Sequence, residues 1–347
     1  MKENPLLTQG SHFPSENKEE NPLLTQGSHF PSENKEENPL LTQGSHFPSE
    51  NKEDCMYHNF QELLALSEEQ GVAFSDIILE NEMRQFGKSM EEVFERLEAS
   101  YQVMERAAEK ALNKKLNTVG GLIEGITMPQ YRYAQKDTTL CGNFINLVMA
   151  RALSCSEVNA SMGRICAAPT AGACGILPAV LVSLAEKEGY EREKVLRALM
   201  TASGVGAIIM RNATVAGAEG GCQAECGVAA AMAAAAAVEL KGGTGEMILH
   251  AIAITFMNCM GLVCDPVAGL VQLPCAQRNA SQAVNALLSA DLVLAGMRSP
   301  IPVDEVIEAM YRVGKMLPPQ LRETAQGGVA ATPTGQEIMK RIFGTEK

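Results

Sequence analysis

The chain has 347 residues, 46% of them hydrophobic, which is enough for one large buried core or two smaller ones. Its formal charge of −12 and pI near 5.1, with no Lys/Arg-rich run to offset the acidity, exclude a nucleic-acid backbone or an anionic membrane surface as partner. Ten cysteines, with no apolar signal segment at the N-terminus, point to a reducing cytoplasm where thiols serve as ligands or core residues rather than disulfides.

Residues 3–53 are three identical copies of a 17-residue unit, Glu-Asn-Pro-Leu-Leu-Thr-Gln-Gly-Ser-His-Phe-Pro-Ser-Glu-Asn-Lys-Glu, beginning at Glu3, Glu20 and Glu37. With only three large apolar residues per copy, the unit cannot bury enough surface to offset its ordering entropy, so residues 1–54 are expected to be disordered. His12, His29 and His46, three of the five histidines, read there as solvated side chains.

Residues 59–116 turn helical. Leu63, Leu64 and Leu66, then Ile77, Ile78 and Leu79, then Val93, Leu97, Tyr101 and Met104 lie on apolar faces at helical spacing, with Ser75-Asp76 and Ser89 available as caps. Two or three amphipathic helices follow, within an N-terminal helical segment at 55–135. From about residue 140 the composition shifts to Ala, Gly, Met and Cys, and charges thin out except in helices such as residues 186–197, so residues 136–347 are expected to be the catalytic domain.

Alternating β-branched runs are nearly absent, aromatics are 5% and tryptophan is missing, which predicts a mainly α fold built on an Ala/Gly-rich helical domain. The apolar run 247–263 is short for a bilayer and holds His250 and Asn258; it reads as a buried core helix. The alanine run 229–238 likewise reads as a helix permitting close approach in a dense interior.

Breaks recur at Ala168-Pro169-Thr170-Ala171-Gly172-Ala173, Gly204-Val205-Gly206, residues 217–221 and Asp265-Pro266, and would let helix N-termini converge on one site. Beside them lie Cys222, Cys264 and Cys275, 42 and 11 residues apart. Three thiolates can hold three irons of a cubane cluster and leave the fourth free to act as a Lewis acid. The spacing matches no ferredoxin run, and it leaves open cysteine buried as a small hydrophobe. Cys226, one helical turn after Cys222, could replace it as a ligand by a one-turn shift; the pair does not read as a redox dithiol. Cys141, Cys155, Cys166, Cys174 and Cys259 sit in apolar settings and read as packing residues.

The segments Ser161-Met162-Gly163-Arg164 through Gly172, Gly217-Ala218-Glu219-Gly220-Gly221-Cys222-Gln223, and Cys264-Asp265-Pro266-Val267-Ala268-Gly269 through Pro274-Cys275 match in order and spacing. Together they resemble the alpha chain of iron-sulfur-dependent L-serine dehydratase, from about Met56 to near the C-terminus. The resemblance implies a lyase that converts L-serine to pyruvate and ammonia with a [4Fe-4S] cluster on Cys222, Cys264 and Cys275. It also implies a beta chain as partner in an oligomeric enzyme.

β-Elimination from serine needs help for the hydroxyl and a base for the Cα proton. Outside the repeat the histidines are His58 and His250, the latter inside an apolar helix, so the base is either a lysine or carboxylate of this chain, with His250 a weak candidate, or a partner residue. Thr170, Gly172, Ala173 and Asn212 are candidate substrate contacts; Glu225, Asp265, Arg278 and Asn279 are supporting neighbours of the cysteines. No lysine sits in a Schiff-base context, and Gly204-Val205-Gly206 lacks the third glycine of a dinucleotide fingerprint, so neither pyridoxal phosphate nor a dinucleotide is expected. The alternatives are a cluster-dependent hydro-lyase acting on another hydroxy acid, and a non-catalytic metal-binding helical protein.

Overall fold

The computed structural model describes residues 55–344, so the predicted disorder of the repeat lies outside the described residues. Three amphipathic helices come first: α1 (Phe60–Gln70), α2 (Phe74–Phe86) and α3 (Met90–Lys110). Asn59 caps α1 by accepting from the Glu62 N–H, and Ser89 caps α3 in a reciprocal pair with Glu92. Ser75 is not a cap, contrary to expectation. It lies inside the first turn of α2, whose Asp76 reaches back to the Ala73 N–H.

Ten further helices follow: α4 (Thr127–Ala134), α5 (Gly142–Ala160), α6 (Ile176–Glu188), α7 (Arg192–Asn212), α8 (Gly217–Gly220), α9 (Cys222–Leu240), α10 (Gly245–Cys259), α11 (Cys275–Leu294), α12 (Val303–Met316) and α13 (Pro333–Phe343). The described residues contain no strand, and the mainly α expectation holds. Residues 186–197 are not one helix, because Gly189 takes a left-handed backbone that ends α6 before α7 begins. Cys141 is exposed beside α5 rather than packed.

The centre of the fold is α9, wrapped by α6, α7, α10 and α11. Of its side chains only Glu239 is not buried, and the alanines at 229–231 and 233–236 have no exposed surface. The helix is long and apolar enough to cross a membrane, but 94% of that stretch is buried inside the protein. Small side chains let four neighbours pack closely on every face, which is how a helix without a polar face is accommodated.

The start of the described chain is tied down by long-range bonds. Met56 N–H donates to Asn81, Arg211 to the Tyr57 carbonyl and Asn212 to the His58 carbonyl, while Asp304 of α12 accepts from the first N–H groups of α1. Tyr57 is buried, and the charge of Glu82 acts on it. Burial lifts the Glu82 carboxyl to about 7, with Arg96 opposing.

Two expectations follow. A chain beginning at Cys55 should unfold at the urea midpoint of the full-length protein, whereas one beginning at Gln61 should lose about 3 kcal/mol or more through the missing Tyr57 and its neighbouring bonds; equal midpoints for the two truncations would contradict the anchoring. The Glu82 carboxyl binds its proton more tightly when folded, so its contribution is intact below the ordinary value of 4.5 and is lost as pH rises through about 7. Glu82→Gln should therefore change stability little at pH 4.5 and raise it by roughly 1–3 kcal/mol at pH 8.

Candidate functional site

Cys222 is the first residue of α9 and Cys275 the first of α11, so both thiols sit where unpaired helix N–H groups favour negative charge. Cys264 is held differently. Its N–H donates to the Leu321 carbonyl at 2.9 Å and its carbonyl accepts from Glu323 at 2.7 Å, an isolated parallel bridge that lays the segment after α12 across the cysteine loop. All three thiols are buried. The charge of Cys222 acts on both Cys264 and Cys275, and that of Cys275 on Cys264. Burial pushes both of those thiols well above the ordinary range, and Glu225 raises them further. A metal that displaces their protons removes that penalty.

The surrounding residues fix these positions. Arg278 donates to the Val263 carbonyl at 2.8 Å and pairs with Asp265 at 2.7 Å; Asp265 also accepts from the Val329 N–H at 2.7 Å. The charge of Arg278 acts on Cys275 and opposes part of the upward push of burial. Asn279 donates to the carbonyls of Gly172 and Cys275 and accepts from the Gly175 N–H, joining the start of α11 to the loop before α6.

From that loop, the Thr170 hydroxyl donates to Glu225 Oε1 at 2.5 Å. Gly172 is required there, since a side chain at 172 would run into the Glu225 carboxylate. Burial lifts the Glu225 carboxyl to about 7, with Thr170 opposing and Glu323 adding. Gly217 marks the point where the elements meet: a Cβ there would lie 3.2 Å from Cys264 Sγ, 3.2 Å from Glu225 Oε2 and 3.3 Å from Glu323 Oε2.

The structure thus brings Cys222, Cys264, Cys275, Thr170 and Gly172 together, with Ala173 buried behind the loop. Cys226 remains within sulfur hydrogen-bond reach of Cys222. Asn212 is exposed and bonded to the N-terminal segment, so no contact connects it to the thiols. His250 lies nine residues before Cys259, about 13 Å along α10 from the end that meets the start of α9, and its neighbour is Glu246.

Among the described residues no three His, Cys, Asp or Glu side chains are gathered tightly enough for a single ion. A cubane cluster is a body several atoms wide and asks for thiols that share a space without touching. Three buried, mutually interacting thiols with one arginine beside them fit that demand.

A sequence profile described as serine dehydratase alpha chain matches residues 69–330. The chain belongs to this family. It is 46% identical over 289 residues to the probable L-serine dehydratase alpha chain of Bacillus subtilis strain 168, covering 83% of this chain and 96% of that one. With the L-serine dehydratase alpha chain of Peptoniphilus asaccharolyticus it shares 48% over 285 residues, 82% of this chain and 98% of that one. Against L-serine dehydratase TdcG of Escherichia coli K12 it is 36% identical over 284 residues, 79% of this chain but 61% of the relative.

Within this serine dehydratase alpha chain family member, the cysteines and the Thr170 loop were visible in the sequence, whereas Glu323 was not. Its signal is faint: Pro318-Pro319 before it and Gly327-Gly328 after it mark an irregular stretch among helices, but nothing local ties that stretch to Cys264.

Proposed function

We propose that this chain is the catalytic alpha subunit of an L-serine dehydratase, a cytoplasmic lyase that removes the Cα proton and the β-hydroxyl of L-serine as water. The resulting aminoacrylate tautomerises to an imine, which a second water hydrolyses to pyruvate and ammonia. The observation that supports it is the meeting of Cys222, Cys264 and Cys275 beside Glu225 in a chain whose near-full-length relatives carry that name. On this reading the three cysteines would hold a [4Fe-4S] cluster, which when bound supplies Lewis acidity toward the substrate hydroxyl at the iron lacking a protein ligand.

The chain's own residues position the thiols and the substrate and balance the charge of the site. The N-termini of α9 and α11 place positive ends of helix dipoles beside the thiolates. Thr170 and the backbone at Gly172 and Ala173 border the substrate volume, and Asn279 keeps that loop fixed against the start of α11. Arg278, locked to Asp265 and the Val263 carbonyl, offsets the negative charge of the site.

The base is the part this chain supplies least. His58 and His250 are the only histidines among the described residues and neither reaches the thiols through any contact, so we assign Cα-proton removal to a beta chain. TdcG, of which this chain covers 61%, supports that assignment, because a serine dehydratase in one longer chain carries sequence beyond the alpha portion.

Cys222→Ser, Cys264→Ser and Cys275→Ser should each remove the brown chromophore and most of the iron from anaerobically purified protein, while Cys155→Ser should keep both. Full iron content in Cys264→Ser would refute the ligand assignment. The alpha chain alone should take up iron and sulfide yet turn over serine at least about a hundredfold slower than with its beta chain, the scale of a missing general base. Undiminished turnover by the isolated chain would place the base within it.

A further inference from the structure

We propose that a rim of apolar side chains around the cysteine site is the docking surface for the beta chain, so that the partner closes over the site and delivers its base there. The proposal rests on the assignment of Cα-proton removal to a beta chain.

The segments that hold the site also carry apolar side chains that stand far into solvent. Of the four most exposed large apolar residues, three belong here: Met316 at 81%, Met162 at 69% and Phe343 at 65%. Leu317, next to Met316, packs on Gly221, the residue before Cys222; a Cβ on that glycine would lie 2.6 Å from Leu317 Cδ1. Met162 follows α5, whose Asn159 donates to the Ala171 carbonyl of the Thr170 loop at 3.1 Å. Phe343 ends α13, which packs on residues 267–269 between Cys264 and Cys275. Val329 and Val119, also exposed, are each one bond from the same loop: the Val329 N–H donates to Asp265, and the Val119 carbonyl accepts from Gln272. Five apolar side chains from four separate stretches of chain thus border one opening.

Unusual backbone is concentrated in the same loops. All four non-glycine residues with a left-handed φ among the described residues lie there: Met162 at 59°, Ala268 at 58°, Glu323 at 63° and Ala325 at 56°. Such conformations cost free energy and persist only where the surrounding structure imposes them. At Met162 the result is a large apolar side chain held out to water.

The charge of this face is opposite to that of the molecule. Residues 111–126, 161–175 and 317–344 hold six basic and three acidic residues, in a chain whose formal charge is −12. A second copy meeting the face about a two-fold axis would set one basic rim against another, which disfavours self-association. An apolar and acidic face on a different chain fits both features. The chemistry asks for the same occupant, because neither His58 nor His250 reaches the thiols and a base must be brought to this opening. The sequence that TdcG has beyond the portion matched by this chain is the counterpart of such a partner.

The test is association of the anaerobically reconstituted alpha chain with its beta chain by analytical ultracentrifugation, with iron content and serine turnover read on the same samples. Met316→Asp, Met162→Asp and Phe343→Asp should each weaken association at least about tenfold while iron content stays unchanged. Lys340→Glu combined with Arg341→Glu should weaken it about tenfold at low salt and much less at about 0.5 M salt. Leu140→Asp should leave it within about twofold: Leu140 is the most exposed of the four at 97%, but it lies at the far end of α5, about 30 Å from Met162. Unchanged association in the three rim variants, or an equal loss in Leu140→Asp, overturns the proposal and leaves the dehydratase reading standing if the wild-type complex turns over serine. Dimerisation of the isolated alpha chain, or its binding to phosphatidylserine vesicles, that Met316→Asp abolishes would give the face to another occupant and overturn the proposal as well. Rim-dependent assembly of a complex that eliminates no water from serine would keep the docking surface and sink the dehydratase reading.

Discussion

Burying a nineteen-residue helix on all sides demands that neighbouring helices approach its backbone closely, and α9 meets that demand with alanine at nine of its nineteen positions. The consequence reaches the chemistry. With α9 immobilised by α6, α7, α10 and α11, its first residue is fixed in space, and that residue is Cys222. Cys275 begins α11, which lies against α9, so the separation of two thiols is set by the packing of two helices rather than by a flexible loop. Sites built on such elements hold their geometry more tightly than sites built on loops. A bulky substitution in the alanine run would act on the site at a distance, by shifting the helix that carries its first thiol.

The third thiol has no helix of its own and depends on a longer chain of contacts. Cys264 is clamped by the backbone of Leu321 and Glu323, while the neighbouring Asp265 accepts from Val329 and pairs with Arg278, which lies in the first turn of α11. The segment between α12 and α13 is therefore part of the site although no cysteine lies in it. This arrangement also explains why a charged pair is buried there. Asp265 without Arg278 would be an uncompensated buried carboxylate beside thiols already raised by burial, and Arg278 without Asp265 would lose the partner that aims it.

Much of this was legible in the sequence wherever a pattern is local. The faces of α1, α2 and α3 follow from apolar spacing, the Ser89 cap from its residue type ahead of an apolar-periodic run, and the alanine run from composition. The three cysteines came from short motifs beside Gly and Pro breaks. What escaped is what depends on position in space. Residues 186–197 carry helix-forming charges on both sides of Gly189, so composition alone runs α6 into α7. Asn212 looked suited to a substrate because a side-chain amide can orient a carboxylate and an amino group, yet its amide is turned back to the His58 carbonyl. Glu323 had only the faint mark of the Pro and Gly pairs around it, because its position comes from the backbone bridge to Cys264, far earlier in the chain.

The charge balance of the site ties these observations to the proposed chemistry. Around Gly217 and the starts of α9 and α11 lie three thiols, Glu225, Glu323 and Asp265, with Arg278 as a cation that Asp265 already engages. In the absence of other cations the groups respond by holding protons, which is why burial and mutual repulsion push Cys264, Cys275, Glu225 and Glu323 upward together. A set of acids arranged so that none can ionise without raising its neighbours is poorly suited to stability alone; replacing the set by apolar side chains would pack as well without that conflict. The conflict is relieved if positive charge arrives from outside: on the proposed reading, metal at the thiols would release their protons and leave the neighbouring carboxylates facing a cation instead of acids.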